Sequence, residues 1–235
     1  MNIFAKNYEI EGPDIPMPER GAARFFAVFF SHFWKLICVN ILFVVFSLPV
    51  VTMPASLCAM NRVLIKLVRE GNVMLWQEFR DEFKADLLSS ILPGFLFGMP
   101  IFSGYFFIRL ALANAEYAGM RLTFWSLGIC LLLFSICIGE YYFVMKAELD
   151  LSGKDLLKNA VLLSLATPLP SLLSFAVAVI FMLVSAALMP VSILLIFFAF
   201  PVLAQYIVCF ILNNVIQEKI ITPYEQMNSH QDNAD

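Results

Sequence analysis

Two ionisable side chains, Arg62 and Glu140, lie inside stretches of sequence that are otherwise apolar. Burying a charge in hydrocarbon is costly unless the charge is paired or reached by water, so such residues are candidates for function. Glu140 comes six residues before Lys146 and Arg62 seven before Arg69, which places each about 10 Å inside a helix end. We hypothesise an ion pair between Arg62 and Glu140; the alternative is that each side chain reaches the interface separately.

A second group of polar residues lies just before Arg62. Asn40 and Ser47 are seven residues apart and fall on one face of a helix. Asn and Ser in membrane helices more often join helices than bind a substrate. Asn40, Arg62 and Glu140 are therefore candidates either for substrate binding or for a structural role. Ser47, Pro49 and Thr52 belong to SLPVVT, a stretch that predicts a turn because proline interrupts a helix.

The motifs of soluble active sites do not occur in this sequence. It has no phosphate-binding GxxxxGK[ST], no HExxH and no GxSxG. Its two histidines, His32 and His230, are too few and too isolated to form a metal site. The five cysteines all lie in apolar stretches, which is typical of small buried side chains. We therefore predict no catalytic residues, no metal site, no cofactor and no enzymatic activity.

Composition fixes the class of protein. The 235 residues are 61% hydrophobic and only 14% charged, whereas soluble domains are about 45–50% apolar and about 25% charged. A soluble globule could not cover so much apolar surface, so the chain is predicted to be an integral membrane protein in contact with the lipid bilayer. Its net charge of −3 and the lack of a basic stripe argue against nucleic-acid binding.

The uncharged stretches predict an all-α bundle of about six transmembrane spans. Leu87–Ile108 and Leu122–Met145 each suit one span, with Glu140 as the one charge in the second. The 59 residues from Asn159 to Gln217 are too long for one helix and predict a hairpin, 169–189 and 191–215, with its turn at Pro190. The region around SLPVVTMP is either one span followed by a surface helix, or a proline-broken hairpin of two short spans, 36–51 and 55–69.

The positions of the basic residues separate these two alternatives. With five spans the 15 Lys and Arg residues divide six against nine between the two sides of the membrane. With six spans they divide thirteen against two, which is the asymmetry expected when the basic side is cytoplasmic. We therefore favour six spans in the cell membrane, with both termini in the cytoplasm.

Two amphipathic stretches lie between the spans. In VMLWQEFRDEFKADLL the apolar residues form one helical stripe and the charged residues form the opposite face; SGKDLLKNAVLLSLA has a similar pattern. Both patterns predict helices in the cytoplasmic interface that lead into the following span. A docking surface for a cytosolic partner is the alternative interpretation.

Three segments carry a resemblance to a known family. They begin FWKLICVNILFVVFSLPVVTMP, FRDEFKADL and YYFVMKAELDLSGKDLLKNA. They resemble the YesL-like family of uncharacterised polytopic membrane proteins of Gram-positive bacteria over roughly residues 25–218. The matched positions are Asn40, Ser47, Leu48, Pro49 and Thr52, then Lys66, Leu67 and Arg69, and later Leu157, Lys158, Asn159 and Ala160.

The resemblance implies a link to carbohydrate uptake, because family members are often encoded near sugar-uptake and polysaccharide-degradation systems. We expect an accessory or regulatory component that binds a carbohydrate transporter subunit or itself; the alternative is a small-solute transporter with a site near the proline-broken hairpin. The expected organisation is a polar tail (1–20), one transmembrane helical domain (21–218) and a second polar tail (219–235).

Overall fold

A computed structural model describes residues 21–71, 73–113, 118–224 and 226. This part of the chain is helical and contains no strand. The predicted N-terminal tail (1–20) lies outside the described residues, as do residues 225 and 227–235 of the predicted C-terminal tail. In chain order the helices are α1 Ala22–Ser31, α2 Phe33–Phe46, α3 Met53–Glu70, α4 Leu75–Asp86, α5 Ile91–Ala113, α6 Ala118–Glu148, α7 Gly153–Ala166, α8 Pro168–Ala187, α9 Ser192–Phe198 and α10 Phe200–Ile216.

The predicted all-α polytopic bundle is confirmed. Among the described residues, α1 and α2 form an apolar pair bent by 75° that could make one broken span. Five further segments are long and apolar enough to cross a membrane, which gives five or six candidate spans: Val50–Glu70, Ile91–Ala113, Ala118–Glu148, Pro168–Ala187 and Phe200–Tyr224.

The first hairpin consists of α2 and α3, close to the predicted arms 36–51 and 55–69. α2 ends at Phe46, and Pro54 occupies the first turn of α3, where its missing N–H costs nothing. α3 is the central helix of the bundle. In the most apolar 18-residue stretch of the segment Val50–Glu70, which contains α3, 67% of the residues are buried. The corresponding share in the other four candidate spans is 11–44%.

α5 and α6 form a long antiparallel hairpin that packs through close backbone contact. A Cβ atom on Gly104 would lie 2.9 Å from the carbonyl oxygen of Gly128, and the reverse holds for a Cβ on Gly128. Nearer the other end of the pair, Ser135 Oγ donates a 2.7 Å hydrogen bond to the Phe97 carbonyl. Most other α5 side chains face outward, which is expected for a helix in contact with lipid.

α8, α9 and α10 form the predicted C-terminal hairpin. α8 runs antiparallel to α6, since Tyr141 hydrogen-bonds to Thr167 (2.6 Å) and Cys137 Sγ to the Ser171 carbonyl (3.3 Å). The second arm is broken at Ala199, between α9 and α10. After α10 the helix continues through a π-helical turn, Gln217–Ile221, to residue 224. The domain boundary after residue 218 stays a prediction.

Candidate functional site

Ion pairs connect α3, α4 and α6 at one end of the bundle, and we call their side chains the charged layer. Each pair joins two different helices, so the layer is a tertiary feature. Its members are Arg62–Glu82, Lys66–Glu78, Arg69–Glu148 and Lys146–Asp86.

Residue spacing explains why α3 and α4 match each other. Arg62, Lys66 and Arg69 are four and three residues apart and therefore share one face of α3. Glu78 and Glu82 share one face of α4 for the same reason. Because Lys66 pairs with Glu78 and Arg62 with Glu82, α4 runs antiparallel to α3 with its acidic face against the basic face of α3.

The centre of the charged layer is buried. Arg62 is 5% exposed, Lys66 8% and Glu82 6%. A buried ion pair recovers its desolvation cost only when further hydrogen bonds satisfy the charged groups. Arg62 makes such a bond by donating from Nη1 to the Ala147 carbonyl, 2.8 Å away at the end of α6. Through these contacts Arg62 fixes α3, α4 and α6 in one arrangement.

The predicted polar face of α4 was partly wrong. The sequence pattern placed Glu78, Glu82 and Asp86 on the water-facing side, whereas they point towards α3 and α6. The cause is the basic face of α3, which makes burial of these carboxylates favourable. The side of α4 turned away from the bundle is exposed and carries Gln77, Arg80, Asp81 and Lys84. Trp76 lies at the edge of this side, with its ring 6.2 Å from that of Phe46.

Arg62 and Glu140 have separate partners, so the hypothesised ion pair is replaced by two other contacts. Arg62 binds Glu82 and the carbonyl of Ala147. Glu140 Oε2 instead accepts a 2.9 Å hydrogen bond from Gln205 Nε2 on α10. Since Ala147 lies seven residues beyond Glu140 on α6, the two side chains sit about two helical turns apart.

Glu140 belongs to a polar cluster between α3, α6 and α10. Gln205 and Cys209 lie one turn apart on α10, and Cys209 Sγ contacts Asn61 Oδ1 at 3.3 Å. Asn61 is fully buried, and its side-chain nitrogen has no hydrogen-bond partner. Glu140 has no ion-pair partner within the described ranges. A carboxyl and an amide with spare hydrogen-bonding capacity could together bind a small polar group.

The Asn40 side chain hydrogen-bonds to the backbone on both sides of the break between α9 and α10. Its Nδ2 donates to the carbonyls of Ile196 (3.0 Å) and Phe197 (2.7 Å), while its Oδ1 accepts from the N–H of Val202 (2.9 Å). These are backbone groups that the interrupted helix leaves without internal partners. The side chain is fully buried, so its observed contacts are those of a structural residue.

Ser47, Pro49 and Thr52 form the turn between α2 and α3. The Thr52 hydroxyl lies 2.6 Å from the Phe46 carbonyl and 2.7 Å from the Pro49 carbonyl, and the Pro49 carbonyl also accepts from the Thr52 N–H at 2.8 Å. Ser47 Oγ is buried without a hydrogen-bond partner. The motif residues thus hold the turn and make no contact that points to a polar ligand.

A groove of about 440 Å³ runs between this turn and α5. Its lining is apolar except for Ser103, and it includes Val50, Val51, Met53, Pro54, Gly94, Gly98 and Phe102. Such a lining suits a hydrocarbon chain better than a polar solute.

Metal-binding chemistry has no visible site in the described part of the chain. No group of three or more His, Cys, Asp or Glu side chains lies close enough there to hold a metal ion. His32 is buried at the bend between α1 and α2, and His230 lies outside the described residues.

The comparisons with known proteins give one family match. Residues 36–106 match the model of a protein family of unknown function, DUF624. The matched segment runs from α2 into α5 and contains the turn and the facing surfaces of α3 and α4. No curated protein and no solved structure matches the chain.

Proposed function

We propose that the protein is a non-enzymatic accessory component of a membrane complex, and that it binds its partner through the outward face of α4. The observation that carries this proposal is that the two sides of α4 differ in their surroundings. One side is fixed to the bundle by buried ion pairs, and the other side presents charged groups, with the half-exposed ring of Trp76 at the edge between the two sides.

The inner side of α4 supports a rigid docking element. Phe79 is fully buried, and its ring lies 5.5 Å from that of Phe46. Phe83 lies 4.7 Å from the same ring. Together with Glu78 and Glu82 in the charged layer, these contacts hold the helix along its length. A partner would therefore meet a preformed surface, which reduces the entropy lost on binding.

The outer side of α4 has the composition of a protein interface. Trp76 is 56% exposed, although tryptophan is usually well buried. Arg80 and Asp81, which pair with each other at 3.6 Å, follow on the same helix with side chains 49% and 58% exposed. Tryptophan and arginine are the residues that most often dominate binding energy at interfaces. Arg80 lies one helical turn from Trp76, so this face combines an aromatic ring with a charged group, as protein interfaces do.

The proposed partner is a subunit of a carbohydrate transporter in the cell membrane. This assignment comes from the sequence resemblance and the family's association with sugar-uptake systems. The thirteen-to-two division of basic residues supports a cytoplasmic location for α4 and for both termini. α4 would then be available to the cytoplasmic parts of a transporter.

A pull-down from native membranes tests the proposal. Tagged protein is recovered in mild detergent, and co-purifying proteins are identified by mass spectrometry. We expect a transport subunit with the wild type and its loss in the variant Trp76→Ala/Arg80→Glu. The matched control is Lys154→Glu, an exposed charge change on α7 that should retain the subunit. Recovery of the wild-type protein alone, or only as its own oligomer, contradicts the proposal.

A small-solute transporter is the second candidate, and the Glu140 cluster favours it. Glu140 and Asn61 keep unused hydrogen-bonding capacity where three helices meet. A transporter should move radiolabelled mono- or disaccharides into liposomes without a partner. Glu140→Gln should then reduce uptake, whereas Glu218→Gln, at an exposed position, should leave it unchanged. Absence of uptake by the purified wild type contradicts this second candidate.

A further inference from the structure

Positions along α6 serve as the reference for comparing how far each helix extends along the bundle. Its partner α5 runs antiparallel to it, with Gly104 beside Gly128 and Phe97 beside Ser135. Lys146 pairs with Asp86, just before α5 begins. The charged layer therefore marks one end of the α5–α6 hairpin, which we call the near end. The helix termini Ala113 and Ala118 mark the far end.

The turn between α2 and α3 lies close to the near end. Pro54 packs so tightly against Gly94 that a Cβ there would approach Pro54 Cγ to 2.2 Å. From Gly94 to Ala113 is 19 residues, so α5 continues for about 28 Å beyond this contact. The deepest α5 residue beside the turn is Ser103. Even that residue is ten residues, or about 15 Å, short of the far end.

The C-terminal hairpin, in contrast, reaches the far end. Ser171 of α8 lies beside Cys137 of α6, and α8 continues for 16 residues to Ala187. This adds about 24 Å in the direction of Ala118. α8 and the α5–α6 hairpin therefore end at a similar depth, and the turn of the first hairpin does not reach it.

The surface of the turn is apolar and open to its surroundings. Leu48 is 75% exposed, Val50 79%, Val51 53% and Met53 50%. Residues 36–61 carry no charge. This surface is continuous with the outward-facing side chains of α5 through the groove they share. Hydrocarbon therefore covers it more favourably than water does.

The backbone of the turn also suits an apolar medium. Groups that cannot hydrogen-bond to water must find partners within the protein. Pro49 and Pro54 have no N–H, and the N–H of Ser47 bonds to the Phe43 carbonyl at 2.9 Å. The Thr52 hydroxyl lies within hydrogen-bonding distance of the Phe46 carbonyl, and the Pro49 carbonyl accepts from the Thr52 N–H. The turn thus satisfies the Ser47 and Thr52 N–H groups and the Phe46 and Pro49 carbonyls within the protein.

We propose that residues 47–54 form a re-entrant tip, immersed in the acyl chains of the leaflet at the near end, and that the first hairpin does not cross the membrane. α3 then leads back through the charged layer to the side on which α1 begins. The chain crosses the bilayer with α5, α6, α8 and the α9–α10 pair. The thirteen-to-two division of basic residues is unchanged, because residues 36–61 are uncharged.

Labelling of variants with one introduced, accessible cysteine in intact cells tests this proposal. Cys38 and Cys130 are exposed and are replaced by alanine, whereas Cys58, Cys137 and Cys209 are buried and are kept. Val50→Cys probes the tip, Gly119→Cys the far end and Lys84→Cys the near end. Gly119 tolerates the change because nothing lies within 4 Å of its Cβ position. Leu48→Cys serves as a second probe of the tip.

A membrane-impermeant maleimide is applied before and after permeabilisation. We expect the far-end and near-end cysteines to react from opposite sides and the tip cysteines to resist the reagent from both. A spin label at position 50 should also be more accessible to oxygen than to a water-soluble nickel chelate. Reaction of Val50→Cys from the same side as Gly119→Cys shows that the hairpin crosses and overturns the proposal. Reaction from the near side as fast as Lys84→Cys overturns its immersion in lipid.

Discussion

The near end of the molecule and its lipid-facing hairpin are held together by different forces. At the near end, α3 packs against α4 and α6 through buried charges such as Arg62 and Glu82. Along the α5–α6 hairpin the helices meet backbone to backbone at Gly104 and Gly128. Lipid tails are as apolar as side chains, so the hairpin depends on close packing and the near end on polar complementarity. The first region should be sensitive to charge and the second to volume.

The largest expected effect comes from removing one partner of a buried ion pair. Arg62→Ala removes the cation whose Nε lies 3.9 Å from the carboxylate of Glu82, a residue that is 6% exposed. We expect a loss of about 3–5 kcal/mol in the free energy of unfolding. Titration with a denaturing detergent, followed by circular dichroism, measures it.

Two further variants sharpen this prediction. Arg80→Ala on the exposed side of α4 should change the free energy of unfolding by less than about 0.5 kcal/mol. The double variant Arg62→Met/Glu82→Leu should recover part of the loss, because it removes both charges. Equal losses at Arg62 and Arg80 would show that burial of the charge does not matter.

The Asn40 contact tests whether neutral polar groups stabilise the bundle as charges do. Asn40→Leu removes the hydrogen bonds to the Ile196 and Phe197 carbonyls and to the Val202 N–H. An unsatisfied buried group costs about 1–3 kcal/mol, and we expect a total loss at the upper end of that range. The same titration measures it. Asn214→Leu, an exposed position on α10, is the control and should have little effect.

The lipid-facing hairpin should respond to a single methyl group. Gly104→Ala places a Cβ 2.9 Å from the Gly128 carbonyl oxygen and forces α5 and α6 apart. Overpacking of this kind costs about 1–3 kcal/mol. Gly98→Ala on the same helix meets nothing within 4 Å, and the better helix propensity of alanine should leave stability equal or higher. Comparing their thermal unfolding temperatures in micelles decides the point; equal destabilisation contradicts the close-contact argument.

The smallest predicted effect is at the turn of the first hairpin. Thr52→Val keeps the shape of the side chain but removes the hydroxyl that lies 2.6 Å from the Phe46 carbonyl and 2.7 Å from the Pro49 carbonyl. We expect a loss of about 1 kcal/mol. Thr123→Val removes an exposed hydroxyl bonded within its own helix to Gly119 and should cost less. Thermal unfolding of the two variants side by side tests the ranking, and a larger loss at Thr123 would reverse it.

Much of the fold could be predicted from the sequence, because apolar length and proline positions are local signals. Pro49 and Pro54 indicated the first hairpin and Pro190 the last one. Pro201 lies in the first turn of α10, two residues after the break at Ala199. These features depend on backbone rules that hold wherever the segment lies.

The polar contacts were harder to predict because they depend on which helices become neighbours. Arg62 and Glu140 lie at similar distances from basic residues in the sequence, but equal depth does not make two side chains adjacent. Glu78 and Glu82 are four residues apart, and so are Arg62 and Lys66. This shared spacing is a signal from which the observed ion pairs could have been predicted. The partners of Asn40 are mostly backbone carbonyls, which every residue has, so no residue type could reveal them.

Asn40 also has a consequence for the order of assembly. The backbone groups that it satisfies come 156 to 162 residues later in the chain. The pairing of Lys66 with Glu78, in contrast, needs residues only 12 positions apart. During synthesis α3 and α4 are therefore complete before the ribosome has made any of α9 or α10. The Asn40 amide can therefore make these hydrogen bonds only after the chain has been synthesised as far as Val202.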